Sequence, residues 1–534
     1  MDGHSEGSAA PTWRPTHSPW LIGISVLLAT FMEVLDTSIA NVALPHIAGN
    51  LSATTEEATW VLTSYLVSNA IILSAAGWLS RYFGRKRYLA FSVILFTVSS
   101  ALCGMAHSLG FLIVARVLQG LGGGGLQPLA QAVLLESFPP EKRGVSMAAF
   151  GMGIVVAPII GPTLGGWLTD SFSWRWIFLI NIPIGLTGLL MQQMYLEDPP
   201  YMKKQHGIRV DYIGFGLLAL WVGLLQIILD KGQQADWFES AWVARTSILV
   251  AVLFVTFIVW ELRRNDPIVN LRVLSDRNFA VGTCLVAVLG VVLYGSTVLL
   301  PIFLQGLMRY TALLSGLAVT PRGLGSMLSM IVVGRIIHKT DDRFLVLAGF
   351  AGIGATCWVL SRLNLDIALM NVGGPLILNG FAMGFIFVPM TTLSMETLRQ
   401  DRIYQATGLY SLMRNIGGGI GISSLVTYLS RQAQVHQVYL ASRLSAYDPL
   451  VQDRMRSLAG MAAAGGAAGS QPAATALAMM YRSLLQQAQL LSFMDCFRWL
   501  SILCLVSAPL VFLFGKPRRH RGGEMMRAGA PALE

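Results

Sequence analysis

The stretch FLIVARVLQGLGGGGLQPLAQAVLL, residues 111–135, is followed after a charged turn by MAAFGMGIVVAPIIGPTLGGWL, residues 147–168. Each segment is long enough, as a helix rising about 1.5 Å per residue, to cross a hydrocarbon core of about 30 Å. The short turn PPEKRG joins them. Arg116 sits inside the first segment, where a charge is costly unless it faces a cavity or a partner. Gly161, Pro162, Gly165 and Gly166 sit in the second, where glycines at this spacing let backbones approach and proline lets a helix bend. The pair reads as part of a transporter. The plain alternative is a snorkelling arginine beside a glycine packing seam.

Composition agrees with a polytopic membrane protein. Apolar residues make up 54% of 534 and charged residues 12%, against roughly 25% charged in soluble domains. Mean hydropathy is +0.59. The formal charge of +10 is expected in cytoplasmic loops, which carry an excess of Lys and Arg, and not at a nucleic-acid surface. Cys103, Cys284, Cys357, Cys496 and Cys504 all lie in apolar runs and are expected as free thiols. No GxxxxGK[ST] loop and no metal-ligand spacing of the eight histidines occur. Neither cofactor nor metal is therefore expected, nor energy from a bound nucleotide.

Fourteen apolar runs are expected as transmembrane helices, from 20–41 to 490–514. Most of the 38 Lys and Arg residues fall in alternate connections if both termini are cytoplasmic. GWLSRYFGRKR after the second run is echoed by GRIIHKTDDR after the tenth, an internal repeat. The expected fold class is thus an all-α polytopic membrane protein. Its expected divisions are a cytoplasmic tail at 1–19, a six-helix half at 20–196, an inserted helix pair with its connections at 197–277, a second six-helix half at 278–514 and a basic tail at 515–534. The second half contains a periplasmic loop at 430–489. The flanks of that loop have helical periodicity, and its small-residue centre reads as flexible. The flanks are expected as amphipathic helices on the membrane surface or a partner, or as helical ends of a tether.

Depth arithmetic selects the polar groups able to meet. Asp36 lies roughly 24 Å along the first run from Trp20, and Arg116 roughly 10 Å below the outer end of the fourth, which runs the other way. Both sit at similar depth in the outer half, with Glu33 one turn from Asp36 on the same face. Proton coupling needs a carboxylate whose protonation changes as burial and a neighbouring arginine change. Asp36 is the favoured carrier, Glu33 its alternate and Arg116 the tuning group. The bland reading makes Asp36 a packing residue beside Thr37 and Asn41. In the second half, Arg322 between Pro321 and Gly323 is expected in a locally opened helix. Arg414 lines the cavity or pins helices together. Asp495 and Arg498 are expected as an intramembrane pair. Gln119, Gln127, Tyr294, Gln305, Asn379, Met383 and Tyr410 are candidates for an adaptable cavity suited to amphipathic or cationic compounds, each with plain bundle packing as the alternative.

The chain resembles the major facilitator superfamily, specifically its fourteen-span drug:proton antiporter group of EmrB/QacA-like multidrug efflux pumps. LDTSIANVALPHIAGNL at Leu35–Leu51 is similar to the signature ending span one. LIVARVLQGLGGGGLQP at Leu112–Pro128 matches the span-four motif, and GPTLGGWL the antiporter motif of span five. Of the superfamily's loop motif, Gly77, Leu79, Gly84, Arg85 and Lys86 are present, while Arg81 and Tyr82 replace the Asp and Arg of the latch between halves. The resemblance implies a major facilitator fold of two six-helix halves plus an inserted pair. It also implies proton-coupled export of hydrophobic or amphipathic toxic compounds across a bacterial inner membrane. The partners it implies are small-molecule substrates, protons, membrane lipid, a periplasmic adaptor and an outer-membrane channel, with no nucleic acid. The rivals are export of one dedicated lipid, siderophore or metabolite, and a sensor or scaffold that does not transport.

Overall fold

In the computed structural model the described residues are 15–139, 142–199, 211–264, 267–337, 340–365, 369–398, 402–445, 447–464 and 472–515. The connection at 200–210, the centre of the long loop at 465–471 and the basic tail beyond 515 lie outside them. The described elements are helical. The first half comprises α1 (Pro19–Asn50), α2 (Trp60–Phe83), α3 (Arg85–Gly104), α4 (Leu109–Ser137), α5 (Arg143–Ser171) and α6 (Trp176–Tyr195). α7 (Tyr212–Lys231) and α8 (Ala241–Arg263) follow. The second half comprises α9 (Arg277–Leu307), α10 (Ala312–Ile336), α11 (Asp342–Leu360), α12 (Leu369–Met395), α13 (Ile403–Ser442) and α15 (Pro472–Ser507), with the shorter α14 (Pro449–Ala464) before the last.

The two halves pack alike. α1 lies on α5 as α9 lies on α13, α2 on α4 as α10 on α12, and α3 on α4 as α11 on α12. Between halves the pairing is exchanged: α5 meets α10 and α2 meets α13. That is the internal repeat expressed as structure. α7 and α8 pack on each other, and α7 covers α2 and α13. α8 turns Ile248, Val252 and Val255 outward, each more than half exposed, as a face meeting lipid does.

Among the described residues, thirteen helices pass the length and hydropathy needed to cross a membrane. α13 falls outside that count because Arg414, Asn415 and a glycine run dilute its apolar content, yet it is buried between α9 and α15 like the others. The bundle therefore holds the fourteen long helices the sequence leads one to expect.

Three local expectations are corrected. α10 runs unbroken through Pro321, Arg322 and Gly323. The irregular turn lies instead after Pro301, where residues Ile302–Leu307 form a π-helix. The flanks of the long loop do not form separate surface helices. They are continuous with α13 and α15, which run past the bundle as a hairpin joined by Gln437 Nε2 donating to Tyr481 Oη at 3.1 Å. Part of the loop's small-residue centre is itself helix, α14.

Candidate functional site: a cavity between the halves

Two ends of the bundle are distinguished by what they hold. At the end where α1 starts, the halves touch. A Cβ on Gly144 would stand 2.7 Å from Ile337, one on Gly151 2.6 Å from Met330, and Phe150 and Phe387 lie with ring centroids 6.2 Å apart. Toward the other end they part around a cavity of about 410 Å³, within the usual range of small-molecule sites. Glu33, Asn41, Tyr65, Gln127, Asp230, Tyr294, Arg322, Met383 and Asn415 line it, among apolar side chains.

Beside the cavity the first half ties five helices into one polar node around Asp36. Arg116 Nη1 approaches Asp36 Oδ2 at 2.6 Å. Gln119 Nε2 donates to Oδ1 at 2.9 Å and Asn181 Nδ2 to the same oxygen at 2.7 Å. Both amides also donate to Ser100 Oγ, at 3.1 and 3.0 Å. Arg116 Nε donates to the Val61 carbonyl at 3.0 Å, and the guanidinium lies 4.2 Å from the Tyr65 ring centroid. The π face accounts for Nη2, which has no hydrogen bond. α1, α2, α3, α4 and α6 all contribute. Both oxygens of Asp36 are thereby occupied, and Asp36 does not line the cavity.

Glu33, one turn away, does line it. Its Oε1 accepts from Asn69 Nδ2 at 3.1 Å, while Oε2 is buried without a hydrogen bond. From the opposite half, Arg414 Nη2 donates to Gln127 Oε1 at 2.7 Å, a polar link across the interface. Arg322 is 5% exposed, with Nη2 on Ser296 Oγ at 3.0 Å, and among the described residues no carboxylate stands within ion-pair reach of it.

The other candidates divide. Gln127, Tyr294 and Met383 face the cavity; Gln119, Gln305, Asn379 and Tyr410 do not. Gln119 belongs to the Asp36 node, Gln305 donates to Ser315 Oγ at 3.2 Å, and Asn379 donates to Thr356 Oγ1 at 2.8 Å. Tyr410 is buried at 1% exposure. Asp495 pairs with Arg498 at 3.1 Å and with His436 Nε2 at 2.7 Å, bracing α13 against α15 away from the cavity. Asn181, Ser100, Asn69 and Asp230 are the node and cavity positions that sequence reasoning passed over. Only the closing carboxylate of α7 carried a signal, as an acid ending an apolar run.

The motif residues act at the closed end. Gly84 has φ +85°, ψ 141°, a left-handed turn between α2 and α3 that favours glycine. It delivers Arg85, fully buried, to Glu136 at the end of α4, to the Glu197 carbonyl, and to Asp198 at 3.5 Å. The Lys86 amide donates to Asp198 Oδ1 at 2.9 Å. These contacts clasp the first half to itself. Gly77 lies beside Gly408 of α13, whose added Cβ would stand 3.8 Å from the Gly77 nitrogen. In α5, a Cβ on Gly161 would come within 2.5 Å of Ser38 Oγ and one on Gly165 within 3.1 Å of Ile39, while Gly166 meets nothing within 4 Å. Pro162 lies inside the unbroken α5.

The family profile described as Major Facilitator Superfamily matches residues 26–422. The chain is 40% identical over 452 residues to the "Multidrug export protein EmrB" of Haemophilus influenzae, covering 84% of this chain and 88% of that one. It is 35% identical over 504 residues to the "Fatty acid resistance protein FarB" of Neisseria gonorrhoeae, covering 94% and 97%. The crystal structure of the human organic anion transporter MFSD10 (TETRAN) superposes with a TM-score of 0.58 at 14% identity, over 93% of this chain and all of that one. At that identity the superposition speaks to the fold alone.

Proposed function

The chain belongs to the Major Facilitator Superfamily, among its EmrB- and FarB-like multidrug efflux transporters, and from that premise we propose how its residues divide the work. It is a multi-pass inner-membrane protein and a proton-coupled secondary active transporter, not an enzyme, exporting hydrophobic and amphipathic toxic compounds. We read the cavity between the halves as the substrate site and Glu33 as the group that takes and releases the coupling proton. The observation carrying this reading is that Glu33 lines the cavity and keeps one buried oxygen without a hydrogen bond. Asp36, held by Arg116, Gln119 and Asn181, serves better as the fixed node about which that half keeps its shape.

With both termini cytoplasmic, the closed end is the cytoplasmic one and the cavity opens toward the periplasm, an outward-facing state of an alternating-access cycle. Binding and proton exchange at Glu33 then bias the rocking that parts Gly144 from Ile337. The hairpin of α13 and α15, with α14 in the connection between them, projects into the periplasm with Val438 on α13 70%, Tyr447 in the connection 91% and Leu450 on α14 78% exposed. Apolar groups displayed so fully suit a protein contact, and we assign the hairpin to the periplasmic adaptor that would lead to an outer-membrane channel.

The test is flux in proteoliposomes under an imposed pH gradient with a panel of amphipathic compounds. Glu33→Gln should abolish uphill export while downhill exchange persists. Full uphill export by that variant would remove Glu33 from the coupling role. Export of a single compound out of the panel would favour a dedicated carrier.

A further inference from the structure

The helix pair that this chain carries beyond two six-helix halves is not confined to the outside of the bundle. α7 ends in Asp230 and Lys231, and Asp230 lines the cavity together with Glu33, Tyr65, Tyr294 and Arg322. Its Oδ2 accepts a hydrogen bond from Thr63 Oγ1 of α2. Lys231 Nζ lies 3.9 Å from that oxygen, but it donates to Thr59 Oγ1 and sits 5.4 Å over the Trp60 ring. The lysine is thus held back by partners of its own. The Asp230 side chain remains 32% exposed, and no hydrogen bond from a described residue reaches Oδ1. One oxygen is anchored and the other is open, which is a preorganised acceptor for charge-assisted contact. Tyr65 and Tyr294 line the same space, and aromatic faces attract cations. The other half contributes Arg322, a cation without a carboxylate, to that wall.

We propose that Asp230 is a specificity-determining residue, receiving the cationic centre of amphipathic substrates at the mouth of the cavity. The inserted helix thereby adds charge selection to a bundle that could transport without it. The proposal rests on the reading of this cavity as the substrate site. A merely structural Asp230 would pin α7 to α2 and affect all ligands alike, so the contrast between ligand charges decides.

Tetraphenylphosphonium and tetraphenylborate, alike in shape and opposite in charge, are the probes, with binding measured calorimetrically on the purified full-length protein. Asp230→Asn should weaken tetraphenylphosphonium roughly tenfold, the factor given by ~1.4 kcal/mol, and leave tetraphenylborate unchanged or tighter. Asp230→Glu should restore most of the cation affinity. Lys231→Met, removing the competing charge, should tighten the cation. Equal weakening of both probes by Asp230→Asn, or no change in either, overturns the assignment. Wild-type protein that exports neutral compounds but does not bind the cation also overturns it, while leaving proton-coupled export standing. Cation binding that depends on Asp230 in a protein driving no proton-coupled flux supports the assignment and removes the transport reading instead.

Discussion

Glu33 and Asp36, a single helical turn apart on α1, have opposite situations: Glu33 lines the cavity and keeps one buried oxygen without a hydrogen bond, whereas Asp36 has both oxygens taken by Arg116, Gln119 and Asn181. On the reading proposed above, the difference separates a proton-carrying role from an architectural one, and the two roles fail differently.

Asp36→Asn leaves Arg116 buried without its counter-ion. Breaking such a pair costs about 3–5 kcal/mol, so the variant should melt well below wild type in detergent. Glu33→Gln should melt like wild type and yet lose gradient-driven export. Thermal denaturation alongside flux for both variants checks this; a stable Asp36→Asn would mean that Arg116 finds another partner.

The glycines of α5 should rank by their neighbours. Gly161→Ala drives a Cβ into Ser38, 2.5 Å from its Oγ, and disturbs the hydrogen bond from that Oγ to the Pro158 carbonyl at 3.1 Å. Overpacking of this kind costs ~1–3 kcal/mol. Gly165→Leu should block transport while insertion into the membrane continues, through crowding against Ile39. Gly166→Ala, with open space around it, should stay within about 0.5 kcal/mol of wild type. Transport rates and melting of the three variants give the order, and a harmful Gly166→Ala would contradict it.

A disulfide should hold the closed end shut. A Cβ on Gly334 would lie 3.6 Å from Val145 Cγ2, close enough for a bridge once both positions are cysteine. In a background lacking the exposed Cys284, oxidised Val145→Cys/Gly334→Cys should stop export, and dithiothreitol should restore it. Continued transport by the fully crosslinked protein would show that this end need not open.

Orientation is checked by labelling. A cysteine at Tyr447, 91% exposed on the hairpin, should react with an impermeant maleimide in spheroplasts. A cysteine at Thr340 should react only after the membrane is opened. The reverse pattern would invert the assignment of both termini.

Hydropathy made the long helices legible, because burial in lipid demands apolar runs of the right length. The run at 406–429 that becomes α13 counts among them although Arg414, Asn415 and the glycines lower its apolar content, because Arg414 makes an interhelical contact and Asn415 lines the cavity. Depth arithmetic set Asp36 and Arg116 at one level, since rise along a helix is a property of the chain alone. It could not orient side chains around the helix axis, where one residue is a turn of about 100°. Gln119, Asn379 and Tyr410 therefore read as cavity residues, although they point into the packing of their own half. Asn181 and Ser100 were invisible because an amide and a hydroxyl in a span acquire meaning only from what they touch. Asp230 carries no signal beyond closing an apolar run, and its place in the cavity depends on where the inserted pair docks.

α13 is one unbroken rod of 40 residues, about 60 Å long. Its start lies against Gly77, Arg414 in its first third reaches Gln127, and its last turns form the projecting hairpin. A rod held nearer one end behaves as a lever with one long arm. If it tilts by about 10° about Arg414 as the closed end parts, its far tip sweeps roughly 7 Å over an arm of about 42 Å. On the proposed orientation, whatever grips that tip would move with each turnover, so the hairpin would act as a transmission shaft as well as a docking post, and a load applied at the tip would feed back on the rate at which the closed end opens.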